Sequence, residues 1–368
     1  MIAWAAPALA AAAYYLLAIA AALRLRKPAP SAATLPPVSV LKPMYGKEPG
    51  LYEAIRSHAV QDYPEFEILF GVQDPADPAA GEVERLRREF PAGRLRLLIV
   101  GKPQAPNAKA AVLEELARQA SHELLVVSDD DILVQPGYLR AIVTAFRNDK
   151  VGLVTCLYRA PARTFASLVE ALGIATEFAP SVLVARLLGV VDFALGSTMA
   201  LRASTVREVG GFAALQNFLA DDYQLGRNVA ARGYRIEFAS AVVETGAGGA
   251  SWSQVWKHQL RWSRTIRVSR PGGYYGSIIT HATIWALVAI AAGLLWAGVA
   301  ALALRLAAGL LVGGIVLHDK KVWRWFWLMP VRDLFGFAVW AGGCVGSTVY
   351  WRGRKLRLRR DGRITADS

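Results

Sequence analysis

Only two cysteines occur in the 368 residues, Cys156 and Cys344, far apart and outside any CxxC pair. That argues against a disulfide scaffold and a structural zinc site, and it fits a reducing compartment. No GxGxxG and no P-loop sequence is present, which argues against a dinucleotide oxidoreductase or an NTPase. HExxH and GxSxG are missing too, leaving zinc protease and α/β-hydrolase readings without support. Charged residues are scarce, 19% of the chain against 54% hydrophobic, and the mean hydropathy is +0.30. Such a balance excludes disordered and collagen-like chains and is too apolar for an ordinary soluble enzyme. The length suits one or two domains with ample core. A water-facing domain joined to membrane segments is the first expectation.

Acidic residues are in deficit, 29 against 42 basic, for a net charge of +13. The placement of the surplus argues against a nucleic-acid partner. Arg24, Arg26 and Lys27 follow the first apolar run, and Arg352, Arg354, Lys355, Arg357, Arg359, Arg360 and Arg363 follow the last. With Asp361 and Asp367 these flanks hold +8, which leaves +5 for 28–351. Basic residues beside apolar spans read as the positive-inside signal and as contacts to anionic lipid heads.

The uncharged run Ile2–Leu23 has 22 residues, and about 20 cross a bilayer. Its positive charges follow instead of preceding it, unlike a secretory signal. Residues 1–27 are therefore expected as a span with its N-terminus outside, and Pro-rich 28–36 as a linker. In a C-terminal membrane region, 276–351, the stretch 278–317 is long enough for two spans and is interrupted by Arg305. Trp323, Trp325, Phe326 and Trp327 suit the headgroup level, 323–333 suits an in-plane helix, and 334–350 reads as a crossing. Residues 352–368 would be a basic cytoplasmic tail. A cytoplasmic tail needs an even number of crossings after the central domain, whereas a plain count gives three. One segment must then be re-entrant or in the membrane plane.

Between 37 and 275, strand-length apolar runs at 38–41, 66–72, 95–100 and 124–128 alternate with helical stretches near 51–60, 80–90 and 107–120. This alternation predicts an α/β fold, a doubly wound and mostly parallel sheet. Ligands of such sheets bind at the carboxyl ends of the strands. The sharpest feature there is Ser128-Asp129-Asp130-Asp131. Asp129 and Asp131, two apart in extended chain, share a side. Paired carboxylates suit Mg²⁺ or Mn²⁺ completed by substrate phosphates; an acidic loop or helix cap is the plainer alternative. Asp74 follows the second strand closely enough to accept hydrogen bonds from a nucleoside, whereas Asp77 before Pro78 reads as an N-cap. One of Asp221 and Asp222 caps a helix, and the other is available as a general base. His258-Gln259-Leu260-Arg261-Trp262 lies on an amphipathic helix. Arg261 offers a fork to phosphate and Trp262 a flat wall, while Trp252 and Trp256 face lipid. The apolar stretch 165–188 is either core or a membrane-lying segment that admits a lipid tail.

Asp74, Asp129-x-Asp131, Asp222 and His258-x-x-Arg261-Trp262 stand in the order and approximate spacing of one pattern. The chain resembles the processive-type inverting glycosyltransferases with their D, DxD, D, (Q/R)xxRW signature. Within that group it is similar to the ceramide glucosyltransferases of glycosyltransferase family 21, through 37–43, 72–74, 107–109, 196–199 and 220–223. It is equally similar to bacterial relatives that add N-acetylglucosamine to hopanoid lipids, through 153–159 and 261–267. The resemblance covers roughly 37–275 and implies a nucleotide-sugar-binding (GT-A-like) fold on a multi-pass inner-membrane protein with its catalytic domain cytoplasmic. It implies a UDP-sugar donor, a ceramide or hopanoid lipid acceptor in the bilayer, and Mg²⁺ or Mn²⁺ on Asp131 and Asp129. Asp74 would hold the nucleoside with Asp129 assisting, and Arg261 would take the departing diphosphate. Lys109 either contacts the nucleotide or is a solvated helix residue. Asp222 would be the base, and Trp262 would shape the acceptor end. His258 departs from the pattern's first position; it would donate to a phosphate or line the acceptor path, and it favours single transfer over chain extension. A polysaccharide synthase and a membrane-anchored scaffold with merely capping acids are the competing classes.

Overall fold

Strand-forming runs buried on both faces must be covered by helices on both faces, and that requirement organises the water-facing half. The computed structural model describes residues 2–25, 34–91, 93–102, 104–246, 248–351 and 354–366. Arg26, Lys27, 28–33 of the expected linker, Arg352 and Asp367 lie outside them. Helix α1 (Ile2–Leu23) precedes β1 (Val38–Pro43), α2 (Leu51–Ala59), β2 (Phe66–Val72), α3 (Pro78–Glu89), β3 (Leu95–Ile99), α4 (Ala108–Gln119), β4 (Leu124–Ser128), α5 (Tyr138–Ala145) and β5 (Val151–Arg159). After α6 (Phe165–Gly173) and α7 (Ala179–Leu187) come β6 (Thr198–Arg202), α8 (Ala203–Glu208), α9 (Asp221–Ala231) and β7 (Arg235–Glu244).

These strands form one sheet in the order β3-β2-β1-β4-β6-β5-β7. Every pair is parallel except those of β6, which runs antiparallel to β4 and β5. Successive residues alternate between two cores. Val40, Ile68, Phe70 and Val126 pack with α2, α3 and α5, while Leu41, Leu69, Val127 and Met199 pack with α4, α8 and α9. Because β6 is reversed, its first residue, Thr198, pairs with Ser128 at the end of β4. The carboxyl ends of β1, β2, β4, β5 and β7 and the start of β6 therefore share one edge, the expected place for a ligand.

The rest of the chain is mostly helical: α10 (Trp252–Ser269), α11 (Pro271–Gly276), α12 (Ala282–Ala291), α13 (Leu295–Gly309), α14 (Lys320–Trp325) and α15 (Met329–Gly343). Among the described residues three helices are long and apolar enough to cross a membrane: Trp4–Leu23, Phe165–Leu187 and Leu295–Val316. The pair Pro271–Thr280 and Ala282–Ala291, bent by 49°, makes a fourth if it counts as one span. Alanines let α1, α12 and α13 approach closely, through Ala5, Ala8, Ala12, Ala286, Ala289, Ala297 and Ala301. At Gly298 a Cβ would stand 2.8 Å from the Ala286 carbonyl oxygen.

The structure chooses between the two readings of one segment and changes the expected outline of three others. The stretch 165–188 is one helix with a π-helical turn at Ile174–Phe178, and most of it is buried against the rest of the fold, so it is core along most of its length. The expected crossing at 334–350 is instead the 15-residue α15, which begins earlier and buries Arg332 and Asp333, followed by strand. The in-plane segment expected to run to Asp333 breaks at the 3₁₀ turn Phe326–Leu328. Finally, the basic tail is folded. Strands β8 (Thr348–Trp351), β9 (Arg354–Leu358) and β10 (Ile364–Ala366) form an antiparallel meander whose Val349, Leu356, Leu358 and Ile364 are buried with Leu219.

Candidate active site

Lys109 is the hub of the sheet edge. Asn107 caps α4 by accepting from the Ala110 amide at 3.1 Å. The first turn of the helix then carries Lys109 inward, with its Nζ 2.6 Å from Asp129 Oδ1 and 3.5 Å from Asp221 Oδ2. Burial opposes the ammonium's charge, but Asp129 and Asp221 outweigh it and raise its pKa above the lysine range. Lys109 is therefore no solvated helix residue; it bridges the carboxylates of two elements that are distant in sequence.

Asp222, in the first turn of α9, accepts from the Gly196 amide at 2.9 Å and from the Tyr223 amide at 2.7 Å. Burial, and then repulsion from Asp221, push its carboxyl up to about 6. The helix can come this close because of Gly226, where a Cβ would stand 2.7 Å from the backbone of Phe193 and Ala194. Asp131 is reached from the other side, accepting from the Thr245 hydroxyl at 3.0 Å just past β7. Burial and the carboxylates of Asp129 and Asp130 push Asp131 up to about 7. Crowded acids of this kind mark functional sites, because a cation or a reaction is needed to relieve them.

Arg261 on α10 completes the group. It forms no ion pair with any described residue, yet Asp222, Asp129, Glu170 and Asp221 all act on it electrostatically. Burial lowers its guanidinium pKa against that pull. On the same helix His258 Nδ1 lies 2.8 Å from Glu170 Oε1, which also accepts from Gln259 Nε2 at 3.1 Å. The His258 and Trp262 rings meet edge-on at 4.3 Å, and Trp262 continues through Phe178 to Tyr158. Trp252 and Trp256 are exposed and lean on Phe335.

Of the residues expected at the site, the structure thus gathers Lys109, Asp129, Asp131, Asp222 and Arg261, with His258 and Trp262 adjoining. Asp74 stays apart. It shares the sheet edge but is exposed, accepts from the Ala76 amide at 2.9 Å and pairs with Lys102 at 3.3 Å. Those two donors lower its pKa. Asp77 is the expected N-cap, accepting from the Ala79 amide at 2.9 Å. Two residues went unread. Lys42, fully buried at the end of β1, donates to the Asp129 carbonyl at 2.7 Å and to Ser128 Oγ at 3.4 Å. Burial lowers its ammonium to about 8 against the attraction of Asp130, Asp131 and Asp129. His58, also buried, has Nε2 3.0 Å from Ser128 Oγ and is kept neutral, its pKa driven far down by burial. A lysine inside an apolar strand was the available signal for Lys42; nothing local marks His58.

The donor set fits a divalent ion only in part by itself. Among the described residues no group of three or more His, Cys, Asp or Glu is placed to hold a metal. Asp129 and Asp131 supply two hard oxygens, and a hard cation commonly takes its remaining ligands from water and substrate phosphates.

The model of the family described as glycosyl transferase family 21 matches residues 2–364. Ceramide glucosyltransferase 1 of Caenorhabditis elegans is 30% identical over 209 residues, 56% of this chain and 45% of that protein. Ceramide glucosyltransferase 3 of the same organism is 28% identical over 231 residues, 62% of this chain and 50% of that protein. The chain thus spans about half the length of these curated relatives. Among solved structures, the mannosyltransferase PcManGT of Pyrobaculum calidifontis, in complex with GDP-Man and Mn²⁺, superposes with a TM-score of 0.55 at 21% identity. That match covers 93% of this chain and 97% of the other, and it shows a shared glycosyltransferase fold. The chain belongs to glycosyltransferase family 21.

Proposed function

We propose that this chain is a membrane-bound, inverting glycosyltransferase that moves one hexose from a UDP-sugar to the hydroxyl of a lipid. Ceramide is the acceptor to which the matched relatives' names point. The observation that carries the reading is that Asp222, a carboxyl pushed up to about 6, acts electrostatically on Arg261, which forms no ion pair with any described residue, beside the Lys109–Asp129–Asp221 cluster.

Asp222 takes the proton of the acceptor hydroxyl. The freed oxygen attacks the anomeric carbon from the face opposite the diphosphate. The bond from that carbon to the diphosphate oxygen breaks, its electron pair leaves with UDP, and the configuration inverts. The two amides that bind Asp222 keep it aimed while it gains the proton. Arg261 binds the charge that grows on the leaving diphosphate, a contribution of about 3–4 kcal/mol by comparison with other preorganised donors. Asp129 and Asp131 would hold Mg²⁺ or Mn²⁺; the structural neighbour's Mn²⁺ supports this. A bound metal supplies further neutralisation of the diphosphate. Asp74, at the same edge, binds the nucleoside. Lys109 holds Asp129 and Asp221 in place beside it. Trp262 and His258, braced by Glu170, form the wall along which the lipid hydroxyl enters. The catalytic domain faces the cytoplasm on a multi-pass inner-membrane protein, a reading supported by the long apolar helices Trp4–Leu23 and Leu295–Val316.

The test is product analysis. The full chain in detergent is incubated with UDP-glucose or UDP-N-acetylglucosamine and with ceramide or a hopanoid, and products are weighed by mass spectrometry. One hexose added to ceramide is the expected result. Addition to the hopanoid alone would move the acceptor assignment, and a ladder of sugars would replace single transfer by polymer synthesis.

A further inference from the structure

The C-terminal meander carries a feature that sugar transfer does not use. Its strands alternate. Val349, Leu356, Leu358 and Ile364 turn inward onto Leu219. On the outer face Tyr350 pairs with Lys355, and Arg357 lies between Thr348 and Thr365. A groove of about 590 Å³ opens there, lined by Ser347, Arg357, Leu358, Arg359, Arg360 and Thr365. Arg357, Arg359 and Arg360 are exposed and form no ion pair with any described residue. Among the described residues no acidic side chain lines the groove, and Asp361 close by in sequence is engaged with Arg363. Three arginines and two hydroxyl-bearing residues thus line one concavity, side chains of the kind that binds phosphate.

The surroundings say where that phosphate comes from. The Lys257 ammonium lies 5.9 Å from the Tyr350 ring centroid, which joins the outer face of the meander to α10. One position before Lys257 on α10 is Trp256, and a turn earlier is Trp252, both exposed. Arg264 and Arg267 fasten the same helix to the turn before the meander, donating to the carbonyls of Val345, Thr348 and Gly343. Exposed indoles beside a cationic face are the arrangement of a membrane–water interface with anionic headgroups. We propose that the groove at Arg357, Arg359 and Arg360 binds the phosphate headgroup of an anionic phospholipid. The site also adjoins the catalytic end of the molecule. The Ile364 amide donates to the Asn217 carbonyl at 2.8 Å, and Asn107 donates to the Phe218 carbonyl at 2.8 Å, so the meander is tied to the loop that runs into Asp221.

The experiment counts lipid retained by the full chain in neutral detergent micelles doped with phosphatidylglycerol or phosphatidylcholine, by native mass spectrometry. It does not depend on transferase activity, so it stands apart from the assignment of the reaction. The wild type should retain phosphatidylglycerol selectively. The triple variant Arg357→Gln/Arg359→Gln/Arg360→Gln should bind it roughly 100-fold more weakly, at about fivefold per charge. The triple Arg→Lys variant should keep most of the binding, and Arg87→Gln/Arg88→Gln on α3 should bind as wild type. Equal retention of both lipids, or a triple Gln variant that binds as wild type, would overturn the proposal. Free glycerol phosphate competing as strongly as phosphatidylglycerol would overturn the lipid source and leave a soluble phosphate as the ligand.

Discussion

Two buried charge clusters in this protein are built on opposite principles. In the helical half, Arg305 of α13 is 1% exposed and paired with Asp333 of α15 at 2.7 Å. Asp333 also accepts from Thr283 at 2.7 Å, and Arg305 donates to Thr176 at 3.2 Å. One cation meets one anion, with hydroxyls filling the remaining valences. At the sheet edge the charges do not balance. Asp129, Asp130, Asp131, Asp221 and Asp222 face Lys42, Lys109 and Arg261, two of the acids are pushed up to about 6 and 7, and Arg261 has no ion-pair partner among the described residues. The first cluster is complete and fastens helices together. The second is incomplete and makes sense with a diphosphate and a cation among its members.

Breaking each cluster should therefore have opposite consequences. Asp222→Asn should lower kcat by about 10²–10⁴-fold with little change in melting temperature, measured as hexose transfer beside a thermal scan. Arg305→Met should do the reverse. It leaves Asp333 buried and unpaired, at about 3–5 kcal/mol of stability, while the protein that remains folded keeps its kcat. Arg305→Met/Asp333→Leu should recover most of that loss, because a matched apolar pair often replaces a buried ion pair without cost; denaturant midpoints in detergent would show it. Lys42→Met sharpens the contrast within the site. Lys42 acts through the Asp129 backbone, so UDP-dependent Mn²⁺ affinity should weaken about 10–100-fold with kcat at saturating metal nearly unchanged. The smallest effect is that of pH. Asp222 serves as base only when ionised, and its carboxyl is raised to about 6. With saturating metal, kcat/KM should therefore fall about tenfold per unit as pH drops below 6 and level off above it.

What was legible in the sequence divides along similar lines. Strands β1 to β4 and the helices between them lie within a few residues of the hydrophobic pattern, because a strand buried on both faces is a continuous apolar run with polar ends. The acids at those ends were visible for the same reason. Lys42 is marked only as a lysine at the end of an apolar strand; that it is buried under Asp129 shows in the tertiary structure alone. Order along the chain carries no distance, and Asp74, expected at the nucleoside, lies at the same sheet edge but apart from the carboxylate cluster. The meander was missed because the charge of Arg354-Lys355-Leu356-Arg357-Leu358 hid its alternation, a strand signal. The helix expected across 334–350 has other bounds, because composition alone does not register that α15 ends at Gly343 and buries an arginine and an aspartate.

Central to the account is the convergence of Asp129, Asp131 and Arg261 on one diphosphate, with Asp222 beside it and reserved for the acceptor. Calorimetric titration of the full chain with UDP and Mn²⁺ tests this most directly. Asp129→Asn, Asp131→Asn and Arg261→Gln should each weaken UDP binding at least tenfold, while Asp222→Asn binds UDP as wild type. Unchanged UDP affinity in the first three variants would contradict the account.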